Sequence, residues 1–213
     1  NNPDQVVWIV GDYDWDGIGA PVIMDFGLRY AGVKNVRCRI PRRFSEGYGL
    51  SEHIIKEITD CINEITDETK TGDAGLIITV DNGIAATDAI KRARLKGFTV
   101  VVTDHHLAPV DECGNRILPP ADVIVDPAAD DESEYKSYCG AGLAYRLVKR
   151  LLNGVELPQL AALASIATIT DVVNVTGANR ALLQLGLTAV NERRILPGLD
   201  ALLDVCEMDD HIT

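Results

Sequence analysis

The sequence predicts an α/β fold: a doubly wound, mainly parallel sheet with helices on both faces, followed by a helical C-terminal part. Two observations lead to this prediction. Short β-branched apolar runs alternate with longer segments of helical periodicity, and from Gly140 onward the pattern is mostly helical. The short runs are apolar throughout rather than alternately apolar and polar, which is typical of strands covered on both faces of a sheet.

The predicted elements follow one another in a regular order. Strands are predicted at residues 6–10, 36–40, 76–80, 99–102 and 123–125. Helices are predicted at residues 18–31, 51–64 and 85–96 between the strands, and then at 141–152, 157–169, 178–190 and 199–205. A strand, turn and helix repeated in this way favours parallel pairing of successive strands. The acidic segment 128–136 is predicted to be a solvated loop.

The charge balance limits the functions that the chain can have. Its 213 residues include 20 Lys and Arg against 32 Asp and Glu, a formal net charge of −12. That length allows one sizeable core. A broad basic surface for nucleic acid is excluded, because neutralising phosphates requires an excess of Lys and Arg. The charge balance does not exclude nucleic-acid binding through a local cationic groove or through metal ions that bridge acid and phosphate.

The cysteines and the apolar runs predict a cytoplasmic protein with no membrane association. The five cysteines are scattered and none forms a CxxC pair, as expected in a reducing compartment. The longest apolar stretch, residues 160–169, is about half as long as a membrane-spanning helix. The chain begins without Met and ends just after a helical pattern, so we expect it to be a segment of a longer protein.

Acidic and histidine side chains follow three of the predicted strands. They are Asp12, Asp14 and Asp16 after the first strand, Asp81 after the third, and Asp104, His105 and His106 after the fourth. The carboxyl ends of parallel strands lie at one edge of a sheet, so these residues are expected to share one crevice. Clustered carboxylates repel one another and need cations.

Oxygen ligands with a little imidazole favour Mn²⁺ or Mg²⁺ over Zn²⁺. Two ions sharing a carboxylate would activate water for attack on a phosphoryl group. Taken singly, Asp16 or Asp81 could instead cap a helix, and either adjacent histidine could be a core residue with satisfied hydrogen bonds.

Seven motifs resemble one known family. They are GDYDWDG (11–17), RRFSEGYGL (42–50), VDNG (80–83), TDHH (103–106), VDP (125–127), CGAGLAYRL (139–147) and TITDVVNVTGANR (168–180). In this order they resemble the DHH phosphoesterase superfamily and, within it, the RecJ-type single-strand-specific exonucleases. The EGYGL and CGAG elements favour the RecJ type over the pyrophosphatase and oligoribonuclease branches.

The resemblance implies a site with two divalent ions, most often Mn²⁺. The implied metal ligands are Asp14, Asp16, Asp81, His105 and Asp171, with Asp81 as the bridging carboxylate. The implied catalytic residues are His106, which would face the scissile phosphate, Asp104, which would hold a histidine in one tautomer, and Asp12. Arg43 is expected either to contact phosphate, together with His106, or to be a plain surface arginine.

One position departs from the family. Many relatives begin the first motif with histidine where this chain has Val10. Asp12 matches an aspartate of RecJ-like proteins and is expected to compensate in part, with weaker binding of one metal ion.

The implied function is hydrolysis of single-stranded DNA from the 5′ end to mononucleotides, in DNA repair and recombination. Nothing resembles the family's C-terminal domain or its OB-fold, so the strand would be held mainly by domains outside this chain. We therefore assign residues 1–195 to the catalytic domain and 196–213 to the start of a connecting helical segment. A single-strand-binding protein or a replication or repair protein is the expected partner.

Two alternatives stay open. A small-substrate member of the superfamily would hydrolyse short oligonucleotides, cyclic dinucleotides or a phosphate monoester, and an acidic domain fits that interpretation well. A catalytically silent scaffold is the other, as in the replication-protein branch. Loss of several acids would indicate a scaffold, whereas this chain has all of Asp14, Asp16, Asp81, His105, His106 and Asp171.

Overall fold

A computed structural model describes residues 5–65, 74–208 and 212. The strands are β1 (Val7–Val10), β2 (Val36–Arg39), β3 (Leu76–Val80), β4 (Thr99–Thr103) and β5 (Val123–Val125). The helices are α1 (Trp15–Tyr30), α2 (Glu52–Ile65), α3 (Thr87–Leu95), α4 (Gly140–Leu151), α5 (Pro158–Thr170), α6 (Gly177–Asn191) and α7 (Pro197–Val205). A short 3₁₀ turn, Pro127–Ala129, opens the acidic segment that the sequence predicts as a loop.

The five strands form one parallel sheet in the order β2-β1-β3-β4-β5. Ile9 of β1 lies beside Cys38 of β2 and Ile78 of β3, which fixes the register in the middle of the sheet. After β1 the chain forms β2 on one side of β1, and it then crosses over to form β3 on the other side of β1. The gap between β1 and β3 is therefore the point at which the strand order reverses, where α/β sheets bind ligands. The predicted fold class is confirmed.

Helices cover both faces of the sheet and create two cores. On one face Ile9, Ile78 and Val80 pack with residues of α1, α4, α5 and α6. On the other, Trp8 and Val10 pack with residues of α2 and α3. Successive strand residues point to opposite faces, which explains why these strands are apolar throughout.

Two close approaches shape the helical layer. A Cβ at Gly27 of α1 would lie 2.4 Å from a methyl carbon of Val148, so glycine lets α4 pack directly on α1. Ser165 of α5 donates its hydroxyl to the carbonyl of Leu182 on α6 at 2.9 Å. Within the described residues no helix is long and apolar enough to cross a membrane.

Candidate active site

Four buried carboxylates gather at the carboxyl edge of the sheet, beside the gap between β1 and β3. Asp12 lies just after β1, Asp81 directly after β3 and Asp104 directly after β4, and Asp16 lies in the first turn of α1. All four are at most 2% exposed. Burying several acids together is costly unless each is hydrogen-bonded or paired with a cation. The partners of these side chains therefore indicate what the site can hold.

Two hydrogen bonds to Asp14 and Gly17 hold the turn between β1 and α1. Asp14 is the N-cap of α1, and its Oδ1 accepts a hydrogen bond from the N–H of Gly17 at 2.8 Å. Pro21 lacks an N–H, which leaves the carbonyl of Gly17 without its helical donor. That carbonyl accepts from the N–H of Asp12 at 3.0 Å instead. Asp14 therefore caps α1, and the side chain of Asp16 does not cap it but points into the site.

Asp16 is held by the N-terminus of α4. Its two carboxylate oxygens accept from the backbone N–H groups of Gly140 at 2.6 Å and Ala141 at 2.7 Å. A helix N-terminus favours negative charge because its first N–H groups have no helical partner. A Cβ at position 140 would lie only 2.4 Å from the Cβ of Asp81. Glycine is therefore required for α4 to reach both aspartates.

His105 lies at the centre of three carboxylates. Its Nε2 is 2.9 Å from Oδ1 of Asp81, 3.6 Å from Oδ2 of Asp16 and 3.9 Å from Oδ2 of Asp171. Burial, and then the neighbouring charge of Asp16, raise the pKa of Asp81 far above its ordinary value. Burial likewise raises the pKa of Asp171. The cluster thus favours protonated acids or a bound cation over bare carboxylates.

The backbone of Asp81 has an unusual conformation. Its φ is +62°, in the left-handed region. Its N–H donates to the carbonyl of Thr103 at 3.0 Å, and its carbonyl accepts from the hydroxyl of Tyr48 at 2.7 Å. The N-cap of α3 is Ala86, so Asp81 does not cap that helix. The carboxylate of Asp81 instead lies in the cluster, in contact with His105.

Asp104 and His106 form a hydrogen-bonded pair beside the cluster. Oδ1 of Asp104 lies 2.8 Å from Nδ1 of His106, and Oδ2 accepts from the N–H of Ile84 at 2.8 Å. Burial acts to raise the pKa of Asp104, but the His106 and Ile84 hydrogen bonds hold it below its ordinary value. The same bond from Asp104 raises the pKa of His106. Asp104 thus fixes the orientation of His106.

The remaining predicted residues lie around the cluster. Asp12 is buried, and its Oδ1 accepts from the N–H of Gly49 at 3.3 Å. Arg43 is exposed, with its guanidinium 5.0 Å from the centre of the Tyr13 ring. A cavity of about 340 Å³ opens beside His106 and is lined in part by Tyr48 and residues 82–86.

Two residues of the site were given no role by the sequence analysis. Tyr48 contacts Asp81, and Asn82 connects three segments: its amide nitrogen donates to the carbonyls of Val10 and Val80, and its Oδ1 accepts from the N–H of Leu50. The signal for Asn82 was an amide two residues after the end of a buried strand. Asp171 came from the resemblance alone. Its own signal was an acid at a helix C-terminus, where the helix dipole disfavours negative charge.

The donor set of the cluster matches a hard divalent cation. Asp16, His105 and Asp171 form one group of ligand atoms within 4.8 Å of one another, and Asp81, His105 and His106 form a second. Carboxylate oxygens with few imidazoles are the ligands that Mn²⁺ and Mg²⁺ prefer. Both groups share His105, so the two groups of ligand atoms adjoin each other.

Comparison with known proteins gives a consistent result. The family model for the DHH family, N-terminal domain, matches residues 6–169. The single-stranded-DNA-specific exonuclease RecJ of Salmonella typhimurium is 34% identical over 216 aligned residues, which cover 94% of this chain and 34% of that protein. The chain thus spans about a third of the length of this curated relative.

Two solved structures resemble this one closely. A crystal structure of exonuclease RecJ bound to manganese has a TM-score of 0.72 and 31% identity, over 88% of this chain and 44% of that one. RecJ from Thermus thermophilus in complex with Mn²⁺ has a TM-score of 0.66 and 28% identity, over 88% and 25% of the two chains.

Proposed function

Because the chain belongs to the DHH family, we propose that it is the catalytic part of a metal-dependent exonuclease that hydrolyses single-stranded DNA from its 5′ end and releases mononucleotides. The observation that carries this proposal is the meeting of Asp16, Asp81 and Asp171 around His105. The similarity to RecJ proteins supports single-stranded DNA as the substrate.

We propose that Asp14, Asp16, Asp81, His105 and Asp171 hold two ions of Mn²⁺ or Mg²⁺. The raised pKa values of Asp81 and Asp171 support cation binding, since a cation would replace the protons that these acids otherwise need. When bound, the ions supply activation of water and neutralisation of charge on the phosphoryl oxygens. Asp81 is central to the cluster and is our candidate for the shared ligand.

The other side chains bind and orient the substrate. His106, anchored by Asp104, would donate a hydrogen bond to a phosphoryl oxygen that gains charge during the reaction. Arg43 stands at the rim, where its planar guanidinium suits phosphate oxygens. Asp12 would act through the loop that it holds at Gly49. The cavity beside His106 offers room for the terminal nucleotide.

The cellular setting that we propose follows the same relatives. The activity would serve DNA repair and recombination in the cytoplasm, together with a single-strand-binding protein or another repair partner. The net charge of −12 favours holding of the strand by regions of a longer protein.

The test uses a 5′-phosphorylated single-stranded oligonucleotide with Mn²⁺. We expect mononucleotide release by the wild-type chain and none by Asp81→Asn, because asparagine tolerates a left-handed backbone but removes the charge. The matched control is Asp88→Asn on the exposed face of α3, which should keep full activity. Equal release by wild type and Asp81→Asn would overturn the proposal.

A second candidate is hydrolysis of short oligonucleotides or cyclic dinucleotides at the same site. The acidic surface favours it, because a short substrate needs few contacts outside the cluster. Rates on a dinucleotide and on a long strand separate the two functions. A rate that rises with strand length supports the exonuclease, and a faster rate on the dinucleotide supports the small-substrate enzyme.

A further inference from the structure

Tyr48 stands at the end of a loop that is fixed against two strands. The loop joins β2 to α2, and its last residues are anchored where those of β1 and β3 end. Gly49 donates its N–H to Asp12 at 3.3 Å, and Leu50 donates to the side chain of Asn82 at 3.1 Å. Both bonds are buried. The backbone that directly follows Tyr48 is therefore fixed next to the site.

The hydroxyl of Tyr48 contacts two residues of the cluster at once. It donates to the carbonyl of Asp81 at 2.7 Å and lies 3.2 Å from Nδ1 and 3.4 Å from Nε2 of His106. The hydroxyl oxygen also lies within hydrogen-bond distance of the His106 ring, whose Nδ1 is paired with Asp104. One atom thus connects the strained backbone of Asp81 with the imidazole that faces the substrate cavity.

The bond to Asp81 acts on a residue with a strained backbone. The left-handed region, where φ of Asp81 lies, is unfavourable for a residue with a Cβ. A hydrogen bond to the carbonyl of Asp81 holds the peptide plane that follows it, and this plane sets the direction in which the carboxylate leaves the backbone. Loss of the hydroxyl would free that plane and the His106 ring together.

The ring of Tyr48 makes edge contacts with two other rings of the site. It meets the ring of His106 edge to face, with centroids 5.7 Å apart at 83°. On another side it meets Tyr13 at 6.4 Å and 87°, and Tyr13 in turn contacts the guanidinium of Arg43. These contacts hold the ring among groups of the site, while 49% of the residue's surface stays exposed toward the cavity.

We propose that Tyr48 is a positioning residue, which sets the backbone of Asp81 and the ring of His106 through one hydroxyl group. Its kinetic consequence rests on the proposed nuclease function. Its structural consequence does not, because both contacts exist without metal or substrate. Tyr48 is expected to affect the rate of the chemical step and to leave substrate affinity nearly unchanged.

The test compares Tyr48→Phe with wild type and with Tyr30→Phe, a control at an exposed tyrosine of α1. We expect Tyr48→Phe to lower kcat about tenfold, the effect of one lost hydrogen bond, with KM within about twofold. A raised KM with unchanged kcat would mean that Tyr48 binds substrate and would overturn the proposal.

A second measurement needs neither metal nor activity. In the metal-free chain, NMR of the histidine rings and of the Asn82 amide should show that Tyr48→Phe shifts the His106 nitrogens and the Asn82 signal, while His53 stays unchanged. Wild-type shifts for His106 and Asn82 would overturn the proposal. If the wild-type chain released no nucleotide, the proposed function would fail and this NMR comparison would still decide the role of Tyr48.

Discussion

Gly140 shows how much of the site depends on a single residue without a side chain. Its N–H donates to Asp16, and its Cα faces Asp81 so closely that a methyl group would lie 2.4 Å from the Cβ of that residue. The same glycine therefore orients one candidate metal ligand and leaves room for another. A change at this position should affect metal binding without altering any ligand.

We predict that Gly140→Ala lowers Mn²⁺ affinity about 10- to 100-fold, as lost support of metal ligands does, and destabilises the fold by about 1–3 kcal/mol through overpacking. The control is Gly19→Ala in α1, where a Cβ would meet only Ala141 at 3.8 Å. That change should stabilise the helix by about 0.5–1 kcal/mol. Calorimetric titration and urea unfolding measure both effects, and unchanged affinity in Gly140→Ala would contradict the prediction.

Among single residues, those that follow strands were the most predictable. Asp81, Asp104 and His105 could be placed at one edge because parallel strands share their direction. The role of Tyr48 could not be predicted, because its contact with Asp81 joins residues 33 apart through a loop with no periodic pattern. The left-handed backbone of Asp81 could not be predicted either, since it depends on the contacts on both sides.

At the scale of elements, the segment from β2 to α2 is held by an ion-pair network. Arg39 on β2 lies 2.8 Å from Glu46 in the loop and 2.8 Å from Glu57 on α2. The hydrogen bonds from Arg39 hold the pKa of Glu46 at about 2 and lower the pKa of Glu57. The loop that presents Tyr48 is therefore tied to the helix that follows it.

This network predicts a loss of stability in acid. A carboxylate whose pKa is lowered on folding stabilises the protein above its unfolded-state value, ordinarily 4.5 for Glu, and that contribution is lost as the pH falls toward the folded value of about 2. Glu46→Gln should therefore be less stable than wild type near neutral pH, with the difference shrinking between about pH 5 and pH 2. Urea unfolding across this range measures it.

The control for this prediction is Glu52→Gln, which removes an exposed ion pair with Arg92. It should differ little from wild type at any pH, because exposed pairs contribute little. A difference between Glu46→Gln and wild type that stays constant with pH would contradict the network's role.

The elements themselves were largely predictable. β3 and β5 coincide with the predicted ranges, and the helices from α4 to α6 each begin and end within one residue of them. Helix α1 begins at Trp15, three residues earlier than predicted, because Asp14 caps it and the aspartates and glycine of residues 14–17 hide its first turn from the apolar pattern. Periodicity finds the part of a helix that faces a core, and capping decides where the helix starts.

For the binding of cations by the whole molecule, the positions of the acidic residues matter more than the net charge. The net charge is −12, and several of the acids lie together at one edge of the sheet without a described Lys or Arg partner inside the cluster. The sequence could predict that the strands bring acids together. The strand pattern could not predict that α4 and the end of α5 complete the group, since this depends on how the helical layer packs; Asp171 came from the family resemblance alone.

This arrangement predicts strong stabilisation by metal. Mn²⁺ at about a hundred times its dissociation constant should raise the thermal midpoint by about 5–10 °C, and a chelator should reverse the shift. Asp171→Asn should reduce the shift, because Asp171 is one of three acids around His105. Scanning calorimetry with and without Mn²⁺ measures it, and an unchanged midpoint in the wild-type chain would contradict metal binding at this cluster.

The contact of α4 with Asp16 also bears on the protein's synthesis. Residues 16 and 140 are 124 positions apart, so Asp16 leaves the ribosome long before the N–H groups that hold it. A nascent chain that has produced the whole sheet still lacks these donors until α4 follows and docks on α1. The full set of candidate ligands is therefore present only after α4 and the end of α5, which carries Asp171, have been synthesised.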